Sequence, residues 1–576
     1  MTNQEIADVF DHLGDLLEFQ GANAFRVRAY RNGARAIRDL PESLRSILDS
    51  GEMPLTDIEG IGKDLAKKIE ELLETGKLQQ LEAVLAEVPE SVLSLMRVPG
   101  LGPKKAAVLH RELAVETLDD LRQVCETHQV RALKGFGPKT EEQILKGLAL
   151  AATSEERMLW ADADTLVQRL REHLTTTKSL KQLEFAGSYR RGKETVGDLD
   201  ILVIAGDRHA VMDRLGEFEE VAEIILQGST KMSVRLKTGT QVDLRVVPDD
   251  SFGAALQYFT GSKEHNVMVR SLAKQQGLRV NEYGVYREDD ETHAIAGKTE
   301  SDVYAAVGLA WIPPELREAR GEIEAATDDV LPDLITVAQL RGDLHMHTTD
   351  TDGRNSLREM VTAAMERGLE YVAITDHSQR VSMAMGLDEE RLRAQWLEVD
   401  ALNAELESFT VLKGVECDIL EQGGMDLSDE VLAEADWVLG AIHYGQQQSR
   451  SQITDRLIGA LRHPHVHAIA HPTGRLLNQR AAYEVDLDAV LQAAHEEGKF
   501  LELNAHPKRL DLNDIHAAAA KKWGIPIVIN TDAHDVRQLA LLRFGVTQAR
   551  RAGLTAESGA NSWPWDRLQQ RLAAQA

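Results

Sequence analysis

The stretch GSYRRGKETVGDLD, residues 187–200, decides the fold. A glycine–serine turn carrying Arg190 and Arg191 leads into an apolar run, DLDILVIAG (198–206). Side chains alternate along a strand, so Asp198 and Asp200 point to one face. A second run, QVDLRVVP (241–248), sets Asp243 in the same surroundings. A lone D-x-D is usually a polar strand end. Three carboxylates on neighbouring strands instead repel one another unless cations join them, and hard oxygen ligands suit Mg²⁺ shared with substrate phosphates. Two such ions would activate an attacking hydroxyl and stabilise a leaving pyrophosphate. The turn amides, the Ser188 hydroxyl and the Arg191 guanidinium can hold phosphate oxygens. This arrangement points to nucleotidyl transfer.

Upstream, residues 1–150 read as all-helical, with apolar positions at helical spacing in pieces such as DLAKKIEELLETG (64–76). One pattern recurs three times: IEGIG (58–62), VPGLG (98–102) and LKGFG (133–137), the last two continuing Pro-Lys. Glycine permits a tight turn and close approach of another backbone. The free amides of the helix that follows can hold a phosphate. The repeat resembles the helix-hairpin-helix motif, which grips the DNA backbone without reading sequence. Gly60, Gly62, Gly100, Gly102, Gly135 and Gly137 would form the loops, with Lys63, Lys104, Lys105 and Lys139 beside them.

Downstream of residue 340, apolar runs such as YVAIT, WVLGAI, HAIA, FLELN and PIVIN alternate with helical stretches. That alternation predicts βα units and parallel strands, and hence a distorted α/β barrel. DLHMH (343–347) places His345 and His347 on one face of a predicted strand, and Asp352 follows. His377, Glu416, His443, His471, Asp532 and His534 each end an apolar run. In an α/β barrel the C-terminal strand ends form the active-site face. Nine candidate ligands suffice for two or three ions, and imidazole with carboxylate suits Zn²⁺, Mn²⁺ or Fe²⁺. Arg475 and Arg509 are candidates to bind the phosphate. His463, His465, His467, His495, His506 and His516 lack the strand-end setting and read as structural.

Composition narrows the classes. The 576 residues predict several domains, and 43% hydrophobic with 27% charged residues is ordinary globular material. No run of about 18 apolar residues exists, so no membrane span is expected. The start, MTNQEIADVF, has neither a basic nor an apolar leader region, which argues against export. Cys125 and Cys417 are the only cysteines, which excludes a disulfide framework and favours a reducing compartment, the cytoplasm. The net charge is −28, and no segment is basic: Lys and Arg number 19 against 25 Asp and Glu in residues 1–150, 22 against 33 in 151–339, and 24 against 35 in 340–576. Any DNA binding must use local patches and backbone amides, with a steep salt dependence. Residues 313–339, proline-punctuated and acidic, read as a linker.

The motif G-S-Y-R-R-G…G-D-L-D, followed by Tyr258-Phe-Thr-Gly261-Ser, Asn266 and Arg270, resembles the family X DNA polymerases over about residues 1–312. The resemblance implies short-gap filling in base excision repair on gapped or primer–template DNA, with deoxynucleoside triphosphates and Mg²⁺ or Mn²⁺. It implies Asp198, Asp200 and Asp243 as metal ligands, Asp243 nearest the primer 3′-hydroxyl. Ser188, Arg191, Gly197 and Arg157 would meet the triphosphate, and Tyr258, Phe259 and Gly261 the sugar. Asn266 and Arg270 would face the nascent base pair. Lys263 departs from the acidic residue of the family. A lyase lysine would fall at Lys68, beside Lys67, although Asp64 replaces a basic residue.

The last 237 residues look like a PHP domain, with H-x-H, T-D-H, G-V-E, A-I-H, A-H-P and T-D-A-H present. That implies metal-assisted phosphoester hydrolysis, in bacterial family X polymerases a 3′→5′ exonuclease. The implied organisation is a helical lyase-like domain (1–92), helical fingers with two further hairpin motifs (93–150), an α+β palm (151–247), a thumb (248–312), the linker (313–339) and the PHP barrel (340–576), in a monomer. Two rivals stay open: a PHP domain that only supports the fold, or a PHP phosphoesterase docked to DNA by an inactive palm.

Overall fold

Five strands form between residues 180 and 246: β1 (Leu180–Phe185), β2 (Asp198–Ala205), β3 (Val221–Gln227), β4 (Lys231–Leu236) and β5 (Gln241–Val246). In the computed structural model of the chain they lie in the order β1-β2-β5-β4-β3. The structure describes residues 1–51, 53–96, 98, 101–151, 157–290 and 292–574. Gly100, expected to touch DNA, lies outside them. β2 is an interior strand, covered on both faces: Ile201 and Val203 pack with Leu244 and Val234, while Leu202 and Ile204 pack with Phe252, Ala255 and Leu256. Burial on both faces is why it reads as a continuous apolar run rather than an alternation. β2 and β5 run parallel, in a register that sets Asp200 directly beside Asp243.

The chain divides into two compact units, Met1–Glu156 and Arg157–Ala576. The first is helical throughout its described residues. One apolar core runs through it from Ile6 to Leu148, so the boundary expected at 92/93 does not separate two cores. The three glycine repeats share one geometry. Each is closed by the same backbone turn: Ile61 N to Ile58 O (3.0 Å), Leu101 N to Val98 O (2.9 Å) and Phe136 N to Leu133 O (3.0 Å). Gly62 and Gly102 cap the helices Lys63–Thr75 and Pro103–Leu113 with nearly identical extended dihedrals, and Gly137 precedes Pro138–Ala151.

In the second unit, seven parallel strands follow one another in chain order: β6 (Gly342–Asp343), β7 (Tyr371–Ile374), β8 (Thr410–Asp418), β9 (Trp437–Ala441), β10 (Ala468–Ile469), β11 (Phe500–Asn504) and β12 (Ile527–Asn530). A Met346–Ala533 bridge and the hydrogen bond from Leu344 N to Asn530 Oδ1 (3.0 Å) tie the first strand's extension to the last. The result is a nearly closed barrel. Alternate residues serve two cores. Tyr371, Leu412, Trp437, Leu439 and Phe500 form one, and Val372, Val411, Val438 and Ile527 meet Met360, Trp396 and Leu457 of the surrounding helices in the other. β6 ends at Asp343, so the H-x-H pair lies beyond the strand expected to carry it. The Met346 bridge keeps that segment extended, and the two imidazoles still share a side, 5.2 Å between ring centroids. No helix among the described residues is long and apolar enough to cross a membrane.

Residues 313–339 differ most from expectation: they form no bare connection. Arg317 is fully buried and donates to Glu300 Oε1 (2.6 Å) and to Ile312 O (2.9 Å). Glu318 lies between Arg191 (3.0 Å) and Arg551 (2.9 Å), and Arg320 meets Asp514 (3.0 Å). Acidic, proline-rich sequence looks solvated because its partners are distant in sequence. Burial alone would raise both carboxyls, but Arg551, Arg191 and Lys193 pull Glu318 down to about 2, and Arg190 with Arg317 does the same for Glu300. A carboxylate depressed below its unfolded value of about 4.3 adds stability above that pH and loses it as pH falls toward 2. Between pH 7 and pH 3, Glu318→Gln is therefore expected to lose about 2 kcal/mol less stability than wild type. At pH 7 the variant is expected to be less stable by about 3 kcal/mol, because two guanidinium groups lose their shared partner. Urea unfolding at the two pH values measures both.

Candidate active sites and metal centre

The palm site begins with the turn. Gly187 has φ +64°, and a Cβ there would sit 2.9 Å from Asp200 Oδ2, so only glycine lets the turn approach the carboxylate. The turn and the thumb helix Phe252–Thr260 enclose a cleft of 410 Å³. Arg157, Ser188, Arg191, Asp198, Asp200, Tyr258, Phe259, Gly261, Lys263, Asn266 and Arg270 line it. Gly197 lies against Arg157, whose Nη1 would be 2.8 Å from an added Cβ. Arg157 also donates from Nε to Thr195 Oγ1 (3.0 Å).

Burial and the neighbouring charges of Asp198 and Asp243 push the Asp200 carboxyl up to about 7. Asp243 accepts from Ser233 Oγ and from Gln241 Nε2 (3.2 Å), with Lys231 Nζ 3.5 Å away. A carboxyl whose proton affinity is raised by two neighbouring carboxylates fits a divalent cation, which would relieve the repulsion. On the thumb side, Asn266 is fixed by Gln257 Nε2 (2.8 Å) and donates to Tyr258 O (2.7 Å), and Arg270 Nε donates to Asn266 O (3.1 Å). Gln257, fully buried, positions Asn266. No local pattern in the sequence signals it.

The second site lies at the C-terminal ends of the barrel strands. Eight of the nine expected ligands fall into three overlapping groups able to hold an ion. His347, Asp352, His377 and His534 form one, His345, His347 and Asp532 another, and His377, Glu416 and His443 the third. His471 is outside these groups and is hydrogen-bonded through Nε2 to Glu416 Oε1 (2.8 Å). His345 Nε2, both ring nitrogens of His347 and His377 Nδ1 are buried without a hydrogen-bond partner. Buried polar atoms are almost always satisfied, so nitrogens aimed at shared carboxylates fit metal ions.

Charge supports the same fit. Burial lowers the proton affinity of His345, but Glu502, Asp532 and Glu416 outweigh it and raise its pKa well above the usual value. Burial and the neighbours His534 and His377 lower His347 to about 3. Two carboxylates outside the nine complete the shell: Glu502 binds His345 Nδ1 (2.7 Å), and Asp418 binds His443 Nδ1 (3.0 Å). Such partners orient ligating imidazoles. The sequence did carry a signal for them, an acidic residue inside the apolar runs FLELN and VLKGVECDI.

Two expected phosphate ligands have other commitments. Arg475 Nη2 pairs with Glu194 (2.7 Å) and donates to Leu510 O, whereas Arg509 Nε lies 3.6 Å from Asp532 Oδ2. His467 is buried, stacks on Trp437 and accepts from Val438 N (3.0 Å), a structural role. In the helical unit, Lys68 is paired with Asp64 (2.5 Å) and sits 5.9 Å from the Tyr30 ring centroid.

Comparison with known proteins follows the same division. Residues 1–78 match a helix-hairpin-helix domain, and 52–114 and 92–149 a SAM-like helix-hairpin-helix tandem. Residues 157–241 match the DNA polymerase beta palm, 255–318 the DNA polymerase beta thumb, and 343–506 the PHP domain. The chain is 42% identical to the DNA polymerase/3′-5′ exonuclease PolX of Bacillus subtilis (strain 168), over 96% of each chain. It is 25% identical to DNA polymerase lambda of Rattus norvegicus over 55% of this chain and 56% of that one. Its C-terminal part is 28% identical to a probable phosphatase of Thermoanaerobacter sp. (strain X514), over 37% of this chain and 87% of the phosphatase.

Proposed function

The chain belongs to the family X DNA polymerases that carry a C-terminal PHP domain, and from that premise we propose that it fills short DNA gaps at the palm and trims 3′ ends at the barrel. The observation that carries this reading is the presence of two different donor sets in one chain. One holds three aspartates beside a glycine–serine turn that carries Arg191, and the other holds clustered imidazoles and carboxylates.

At the palm, Asp198, Asp200 and Asp243 would hold Mg²⁺ or Mn²⁺, which supplies Lewis acidity to the attacking hydroxyl and the leaving pyrophosphate. Ser188, Arg191, Gly197 and Arg157 orient the triphosphate of an incoming deoxynucleotide. Tyr258, Phe259 and Gly261 set the sugar, and Asn266 and Arg270 contact the nascent pair. Asp243, held by Ser233 and Gln241, faces the primer terminus.

At the barrel, His345, His347, Asp352, His377, Glu416, His443, His471, Asp532 and His534 would hold two or three Zn²⁺, Mn²⁺ or Fe²⁺ ions, which supply a nucleophile and charge neutralisation for phosphoester hydrolysis. Glu502 and Asp418 keep the imidazoles in place. Gly60, Gly62, Gly102, Gly135 and Gly137, with Lys104 and Lys139, present helix N-termini to the DNA backbone. The substrate is gapped DNA in base excision repair, and the protein acts as a cytoplasmic monomer. A lyase step at Lys68 requires Asp64 to release the amine. The same reading treats 1–92, 93–150, 151–247, 248–312 and 340–576 as lyase-like, fingers, palm, thumb and PHP parts.

A 5′-labelled primer on a one-nucleotide gap with Mn²⁺ tests the reading. The primer is expected to grow by one with deoxynucleotides, to shorten without them, and to do neither in a chelator. Growth alone would leave the barrel as support for the fold. Shortening alone would make the palm a docking module.

A further inference from the structure

One face of a barrel helix is spent on the polymerase turn. The helix Leu542–Arg551 follows β12 and the His534 segment, so by sequence it belongs to the PHP domain. Its residues 543, 544, 547, 548 and 551 share a face by helical spacing. All five meet the turn Gly187–Gly192 or the residues that hold it.

Gln548 Nε2 donates to Gly192 O (2.9 Å), and Arg551 Nη1 donates to Arg191 O (2.8 Å). Arg551 also binds Glu318 Oε1 (2.9 Å), the same oxygen that accepts from Arg191 Nε (3.0 Å). A Cβ on Gly192, whose φ is +66°, would lie 2.2 Å from Thr547 Cγ2. Phe544 meets Trp160 edge-on (5.3 Å), Trp160 stacks on Tyr189 (5.6 Å), and its Nε1 donates to Tyr189 O (2.8 Å). Arg543 pairs with Asp164 (2.7 Å), which accepts from the Tyr189 hydroxyl (2.7 Å).

These contacts fix both the path of the turn and the direction of the Arg191 guanidinium. A glycine-flanked turn has little packing of its own, and its two C-terminal carbonyls are anchored by side chains about 350 residues later in the chain. We propose that Gln548, Arg551 and Arg543 are positioning residues of the polymerase reaction: the PHP domain holds the turn that receives the triphosphate. The inference rests on the reading of Ser188 and Arg191 given above. It adds that the polymerase site is incomplete without the nuclease domain's helix.

The test uses the full chain on a one-nucleotide gap, comparing Gln548→Met and Arg543→Gln with wild type and with Arg191→Ala. Gln548→Met keeps the volume and removes one donor, and Arg543 is half-exposed, so both variants are expected to fold. Each should raise the KM for deoxynucleotide roughly three- to tenfold, the effect of one hydrogen bond or ion pair, with kcat and exonuclease rate within about twofold of wild type. Arg191→Ala should raise the KM further. If Arg191→Ala raises the KM while both helix variants match wild type, the helix is scaffold and the inference falls. It falls equally if the KM rises only together with a fall in kcat, exonuclease rate and melting temperature, since that is loss of folding. An unchanged KM in Arg191→Ala would overturn the triphosphate reading itself, and the inference with it.

Discussion

Asp243→Asn is expected to slow gap filling by about a thousandfold while leaving 3′-end shortening at its wild-type rate. The substitution changes a charge and almost nothing else. Asparagine keeps the volume, and its one amide oxygen can still accept from Ser233, although the hydrogen bond from Gln241 to the other oxygen is lost. What it loses is the charge of Asp243, which stands in register beside Asp200 on the neighbouring strand and, with Asp198, raises the Asp200 carboxyl. An ion held by two carboxylates instead of three binds more weakly and neutralises less of the developing charge, a loss of about 4 kcal/mol of transition-state stabilisation. Stability should move the other way. In a chelator the three carboxylates repel, so the variant is expected to melt no lower than wild type. Single-turnover extension with Mg²⁺ and calorimetry in EDTA separate the two effects. Extension within tenfold of wild type would remove Asp243 from the chemistry.

His347→Ala is expected to abolish 3′-end shortening, by about a thousandfold or more, and to leave extension within about twofold. His347 is chosen because it belongs to two of the three ligand groups, and both its ring nitrogens are buried without a hydrogen-bond partner. One substitution therefore strips two prospective ions. Metal analysis of the purified protein should show the loss of at least one equivalent. His347→Asn, which leaves less empty space, should behave the same way. His467→Phe serves as the contrast. It too is buried, but it stacks on Trp437 with its Nδ1 already occupied, so its loss should cost stability and no nuclease activity. Retained shortening in His347→Ala, with full metal content, would relocate the nuclease.

Much of both sites was legible in one dimension. A strand period of 2 put Asp198 and Asp200 on one face, and the sheet does so. The recurrence of glycine spacing announced three loops, and at Ile61, Leu101 and Phe136 the same turn hydrogen bond closes each. Ligands at the ends of apolar runs announced the barrel mouth, where eight of nine expected donors cluster. The H-x-H pair was the instructive exception, since a two-residue strand stops before it and a single bridge does the aligning.

Neighbouring residues thus specify the local chemistry: which donors exist, and at what period they repeat. Covalent geometry repeats every two or three to four residues, and that order is written in neighbours. Which charges meet depends on contacts between segments far apart in the chain. Arg475, free to bind phosphate in the sequence, is held by Glu194, and the expected linker is locked by Arg317, Glu318 and Arg320. Gln548 and Arg551 reach a turn some 350 residues away because both are buried against it, and a buried donor must find an acceptor wherever the fold supplies one.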